Sequence, residues 1–298
     1  MKNIKRKVTI GMAVMAASAI LTTPVFAYTP IAGTAAGFQF EKDFVMSKNA
    51  TIPAATFSYS IVPGAAIAAT ATTAEVIPGP AGASIADVVY TTGDTTATVT
   101  ESGGTKTATK NVPVNLSGVS FPAPGIYRYV ITESGTNNGV TNDPVAKRTL
   151  DVYVQNATGG ALEIGGYVLY EGEKTEAPSK TASVATGKSE GYTNEYDTFD
   201  LSFGKEVKGN FGALDQYFEY TVTIAADQGT VLNVDISGAD ATPAATASTK
   251  KTVAANPTTL TAGANGITQK FYLHDGQYIT IKDLPANAAY SVTEDAED

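Results

Sequence analysis

The sequence contains no cysteine, no tryptophan and a single histidine, His274. Without cysteine there are no disulfides and no thiolate chemistry. One imidazole with no thiol does not make a transition-metal site, so no metal is expected. No Ser/His/Asp set can be assembled around a lone histidine, and no other catalytic constellation appears. A turnover enzyme is therefore not expected, and neither is a cofactor. Charge is sparse and tilted to one sign, with 29 acidic residues against 20 lysines and arginines. Nucleic acids and anionic membranes both require a basic face, so neither is an expected partner. Gly103-Gly104 and Gly159-Gly160 are not phosphate loops, because no helical pattern follows them. Glu294, Asp295, Glu297 and Asp298 read as an acidic terminus rather than a calcium site.

Long apolar runs are missing everywhere except at the start. Lys2, Lys5, Arg6 and Lys7 form a positive region before the mostly apolar stretch from Val8 to Phe26. Val25-Phe26-Ala27 places compact residues where signal peptidase reads them, which predicts a signal peptide over 1–27 and a secreted mature chain. Thr22, Thr23 and Pro24 interrupt the apolar stretch, and no stop-transfer pattern follows, which opposes a membrane span. Removing the four leader cations from 20 leaves 16 against 29 acids, a formal charge of −13. An exported chain could have used disulfides. This one must draw its durability from something else.

What the chain does have is strand-forming composition. Short runs of alternating Val, Tyr, Phe and Thr recur between Gly, Pro, Asn and Asp breaks, predicting an all-β fold of sandwich type. Asp275-Gly276 supplies a hairpin turn. Segments 171–190 and 239–263 read as exposed loops.

A repeat runs through these strands. In Phe38-Gln39-Phe40-Glu41-Lys42-Asp43-Phe44, alternation puts Lys42 on the same face as three phenylalanines. In Leu201-Ser202-Phe203-Gly204-Lys205-Glu206-Val207, Lys205 interrupts an apolar face in the same way. Each is followed by an aromatic strand, Phe57-Ser58-Tyr59 or Phe218-Glu219-Tyr220. Each half then has a Pro-containing turn and a strand ending in Thr-Glu, with Tyr127, Tyr129, Ile131 and Glu133 in phase and Tyr290, Val292 and Glu294 in phase. Lys42 and Glu133 are 91 positions apart, and Lys205 and Glu294 are 89 apart. That near-identity predicts two homologous domains, 28–196 and 197–298.

An inward lysine facing an inward glutamate has a chemical consequence. Burial lowers a lysine's pKa and raises a glutamate's, which makes a neutral amine beside a protonated acid accessible. The amine is a nucleophile, and the acid can polarise an amide carbonyl and carry protons. An asparagine within reach would lose ammonia and form a Lys–Asn isopeptide bond. Such an asparagine belongs on the last strand of its domain. In Gly191-Tyr192-Thr193-Asn194-Glu195-Tyr196, Asn194 is in phase with Tyr192 and Tyr196, where the first domain ends.

Lys42, Glu133 and Asn194 together resemble the cross-linking residues of backbone pilins from sortase-assembled Gram-positive pili. Phe271-Tyr272-Leu273-His274-Asp275-Gly276, Leu284-Pro285 and Val292-Thr293-Glu294-Asp295 resemble the second domain of those two-domain shaft subunits. The resemblance implies an immunoglobulin-like sandwich per domain and an isopeptide in each. Glu133 and Glu294 would be the proton carriers, and Lys42 with Asn194 one cross-link. Lys205 would form the other, with a partner asparagine that this chain does not contain. It also implies head-to-tail linkage to identical subunits by a pilus sortase, ancillary pilins as further partners, and anchoring to the cell wall. Lys188 is the first candidate for the sortase acceptor, followed by Lys180 and Lys174. Glu133 and Asn194 lie 61 positions apart, and a matching asparagine after Glu294 would fall beyond Asp298. The second domain is accordingly expected to lack its closing strands, and no Leu-Pro-x-Thr-Gly sorting signal is present. The alternative reading is an ancillary or tip adhesin of the same domain type, binding host proteins or glycans. A third is an inert spacer without cross-links.

Overall fold

The computed structural model describes residues 31–32, 38–135, 137, 139–180, 187–209, 214, 216–238 and 253–295. The signal peptide expected over 1–27 lies outside them, as do Glu297 and Asp298. Every regular element among the described residues is a β-strand, in keeping with the all-β expectation.

The first half is built from two facing sheets. One runs Leu162–Glu171, Lys147–Asn156, Gly125–Ser134, Ala55–Pro63 and Val88–Tyr90 in spatial order. The other runs Val140–Thr141, Gly191–Tyr196, Gln39–Ser47, Thr105–Asn115 and Ser84–Ile85, with Thr98–Ser102 also paired to Thr105–Asn115. Alternation supplies the core: Phe40, Lys42, Phe44 and Met46 are buried, and their neighbours in sequence are more exposed. Phe57, Tyr90, Tyr129, Ile131, Val152 and Tyr192 join the phenylalanines in one continuous cluster.

Strand Gly191–Tyr196 runs parallel to Gln39–Ser47, with Tyr192 beside Lys42 and Asn194 beside Phe44. The strand opens on glycine for a steric reason. A Cβ at Gly191 would lie 1.7 Å from the carbonyl oxygen of Glu41. The strands carrying Lys42 and Asn194 are thus hydrogen-bonded neighbours although most of the half separates them in sequence.

The second half repeats the plan, with fewer strands among the described residues. Thr198–Gly204, Gln277–Pro285, Val231–Gly238 and Thr259–Thr261 form one sheet, and Ile267–Leu273, Phe218–Ile224 and Tyr290–Glu294 form the other. Val222, Phe271, Leu273, Ile279 and Ile281 are fully enclosed between them. Strand Thr198–Gly204 pairs on one side only, with Gln277–Pro285; among the described residues no strand lies where Gly191–Tyr196 lies in the first half. Segment 239–263, read as loop, contains strand Thr259–Thr261, held antiparallel to Val231–Asn233. Its alanines and threonines gave no alternation to reveal it. The halves meet at Asp197, whose amide donates to Gly139 O and whose carbonyl accepts from Ala286 N, at 2.8 and 2.9 Å.

Candidate cross-linking site

Three polar side chains meet inside the first sandwich. Lys42 and Asn194 are both 0% exposed, and Glu133 is 8% exposed. The Lys42 ammonium donates to Glu133 Oε1 at 2.6 Å and to Asn194 Oδ1. They come from three strands, Gln39–Ser47, Gly125–Ser134 and Gly191–Tyr196, brought together from both sheets. An unpaired charge here would be prohibitive, and the mutual pairing is what makes burial tolerable.

Aromatic rings close the site. The Phe57 ring centroid lies 3.9 Å from Lys42 Nζ, an attractive contact for a cation and a dry wall for an amine. Phe40, Tyr59 and Tyr192 pack mutually, with centroids 5.2–5.6 Å apart. Tyr59 donates its phenol to Glu133 Oε1 at 2.9 Å, and burial raises its pKa, so it remains a donor. Burial also lowers Lys42 from 10.5 to about 8, although Glu133 opposes the shift. A neutral amine is thereby far more accessible than on a surface lysine.

The far side of Asn194 is equally defined. Its Nδ2 donates to Asn142 Oδ1 at 3.0 Å, and Asn142 Nδ2 donates to Gly135 O at 3.0 Å. Next in sequence, Asp143 Oδ2 accepts from Thr193 N at 2.9 Å and from Arg148 Nη2 at 2.8 Å. Arg148 also lies over Tyr192, 4.5 Å from its ring centroid, so the strand carrying Asn194 is held on both of its neighbours.

The second half holds the same parts. Lys205 Nζ donates to Glu294 Oε1 at 2.7 Å, Tyr220 donates to Glu294 Oε2 at 2.8 Å, and the Phe218 ring lies 3.7 Å from Nζ. Among the described residues no asparagine is hydrogen-bonded to Lys205. The site is also more open, with the Lys205 and Glu294 side chains 15% and 41% exposed. The hydrogen bond from Lys205 holds the Glu294 carboxyl below its usual value.

The remaining candidates are placed as follows. Lys188 is exposed and sits in a bridge opposite Tyr170. Lys180 is exposed and donates to Thr70 O at 2.7 Å. Lys174 is half-buried beside Tyr170. His274 is buried against Tyr217, and among the described residues no cluster of metal-ligating side chains occurs.

Sequence reasoning missed Phe57, Tyr59 and Asn142. The first two were readable, because Phe218 and Tyr220 repeat them beside Lys205. Asn142 lies outside the motifs that the two halves share within this sequence.

Residues 199–298 match a family described as a domain of unknown function (DUF7601). A curated protein called pilin, from Streptococcus pyogenes serotype M1, is 24% identical over 253 residues. That match covers 84% of this chain but only 65% of the relative's length. Among solved structures, a major pilin from Streptococcus pyogenes is similar with a TM-score of 0.59 at 24% identity, covering 87% of this chain and 81% of the other. A major pilin from another serotype gives 0.55 at 21% identity, covering 87% and 83%. The fold is therefore that of the streptococcal major pilins.

Proposed function

We propose that the chain is a structural subunit of a covalently polymerised pilus on a Gram-positive cell surface. Its first sandwich would be closed by a self-generated isopeptide bond between Lys42 and Asn194. The observation that carries this reading is the buried meeting of Lys42 and Asn194, on neighbouring parallel strands far apart in sequence, with Glu133 from the facing sheet.

The chemistry begins with a proton passing from the Lys42 ammonium to the Glu133 carboxylate along their hydrogen bond. The neutral amine then attacks Asn194 Cγ, and the new N–C bond forms as the carbonyl oxygen takes up charge. Glu133 delivers its proton to the departing amide nitrogen and takes up the surplus proton of the attacking nitrogen. The old C–N bond breaks and ammonia leaves. Every proton is accounted for, and no oxidant, metal or cofactor takes part. Lys42 is consumed, so the event occurs once per chain and the protein is not an enzyme in the turnover sense. Fixed neighbours in a dry core supply the effective concentration.

Such a link resembles a long-loop disulfide, for which roughly 2–5 kcal/mol is typical, but reductants do not cleave it. It would supply the durability that a cysteine-free exported chain otherwise lacks. The likeness to streptococcal pilins supports the wider role: linkage to further subunits by a sortase, association with ancillary pilins, and wall anchoring.

Intact mass tests the core of the reading. The chain should be about 17 Da lighter than its sequence, one ammonia displaced from an amide, and Lys42→Ala should restore the sequence mass. An unshifted mass in folded protein rejects the cross-link. Polymerisation is tested with a pilus sortase and a sorting-signal peptide. The chain should gain the peptide's acyl portion, and Lys188→Arg should abolish the gain. An adduct that survives moves the acceptor to Lys180 or Lys174, and no adduct at all favours the adhesin or spacer.

A further inference from the structure

The geometry points to Asn142 as the positioning residue for the leaving group of the Lys42–Asn194 reaction, an inference that rests on the isopeptide reading above. A carboxamide has two ends of similar shape, and only one orientation is productive. With Oδ1 toward Lys42, the carbonyl is polarised and the nitrogen faces away; with the amide reversed, its N–H groups would point at an ammonium. Lys42 has only donors to offer, so it selects the oxygen. Asn142 makes the complementary selection from the other side. Its Oδ1 accepts from Asn194 Nδ2 at 3.0 Å, and its own amide is fixed because Nδ2 donates to Gly135 O at 3.0 Å.

Two further observations place this residue on the reaction's exit side. Asn194 is 0% exposed, whereas Asn142 is exposed, so the hydrogen bond leads from the buried amide nitrogen to the surface. Ammonia formed at that nitrogen stays hydrogen-bonded to the same oxygen and is released where water can take it. In addition, Asp143, adjacent to Asn142, accepts from Thr193 N, adjacent to Asn194. The two-residue clasp therefore fixes the strand and the reacting amide together. No bond is made or broken at Asn142; it accepts from one nitrogen throughout, first as amide, then as tetrahedral adduct, then as ammonia.

The second site offers a contrast within the same chain. Phe218, Tyr220 and Glu294 reproduce the partners of Lys42, and among the described residues no asparagine side chain is hydrogen-bonded to the Lys205 ammonium.

Cross-link formation can be timed in the full chain, made in a short cell-free pulse at pH 7 and quenched in denaturant at intervals. Intact mass then gives the fraction that has lost ammonia. Asn142→Leu should slow the reaction by about tenfold or more, the scale of a misoriented reacting group. Asn142→Asp keeps an acceptor oxygen and should react within about threefold of the parent. In a Lys42→Ala background, where no link forms, Asn142→Leu should leave Tm within about 2 °C of its Asn142 parent, as for a surface substitution. A leucine variant as fast as the parent overturns the assignment. So does an aspartate variant as slow as the leucine one, or a fall in Tm in the Lys42→Ala background large enough to account for the slowing. If the parent chain itself never becomes lighter, the isopeptide reading falls first and this role with it.

Discussion

At Lys42, burial and a neighbouring carboxylate pull the ammonium in opposite directions, and burial prevails. The reaction begins with the proton that the Lys42 ammonium carries. Because burial brings Lys42 down to about 8, that proton is present below this pH and lost above it. Cross-linking should therefore be flat in rate between pH 6 and 7 and fall above about pH 8. A rate that keeps climbing from pH 8 to 10 would show that the amine reacts without a proton carrier. Replacing the carrier tests the same point directly. Glu133→Ala should leave the full sequence mass after hours, consistent with the roughly 10²–10⁴-fold contribution of a positioned acid–base group. Lys42 and Glu133 were legible in the sequence because alternation turned each inward and a second copy repeated both. Asn142 was not, because its importance comes from a partner 52 positions away and from no pattern of its own.

Among the elements, strand Gly125–Ser134 departs most from simple alternation. Residues 126–131 are all buried, because its outer face is covered as well as its inner one. Arg128 sits on that outer face, where its guanidinium donates to both carboxylate oxygens of Asp151 at 2.6 and 2.8 Å. It also donates to Lys174 O and Glu176 O, so it straps the segment after Glu171 onto the sheet. Its carbonyl accepts from Gly64 N and Gly79 N, both at 2.8 Å, and a Cβ at Gly64 would come within 2.5 Å of the Arg128 side chain. The inward set Tyr127, Tyr129 and Ile131 was readable from its phase. The outward arginine was not, since an arginine facing away from a core ordinarily faces water. Arg128→Ala would leave Asp151 buried and unpaired. In a Lys42→Ala background, urea unfolding should show a loss of about 3–5 kcal/mol. Arg128→Met with Asp151→Leu should recover most of it, and an alanine variant of unchanged stability would show the pair to be dispensable.

At the scale of the whole molecule, the two similar sandwiches differ among the described residues in how their lysine strands are covered. The first has its lysine strand flanked on both sides and all three polar partners together; among the described residues the second has that strand paired on one side and its Lys205–Glu294 pair half-open. Brief trypsin or proteinase K treatment should cut the second half first and leave a resistant core ending near Tyr196, because local opening is easiest where fewest contacts must be broken. Simultaneous loss of both halves would contradict this order.

The parallel contact between Gln39–Ser47 and Gly191–Tyr196 has one more consequence, which outlasts the fold itself. Once Lys42 and Asn194 are joined, the polypeptide is no longer linear: it is a closed loop spanning 152 positions with a tail at each end. Detergent and heat can erase every hydrogen bond in the molecule without opening that loop. The denatured form therefore stays smaller than a linear chain of the same length and should run ahead of Lys42→Ala on a denaturing gel, with or without reductant. Which two strands lay side by side is then recorded in the connectivity of the chain, and remains readable after the strands themselves are gone.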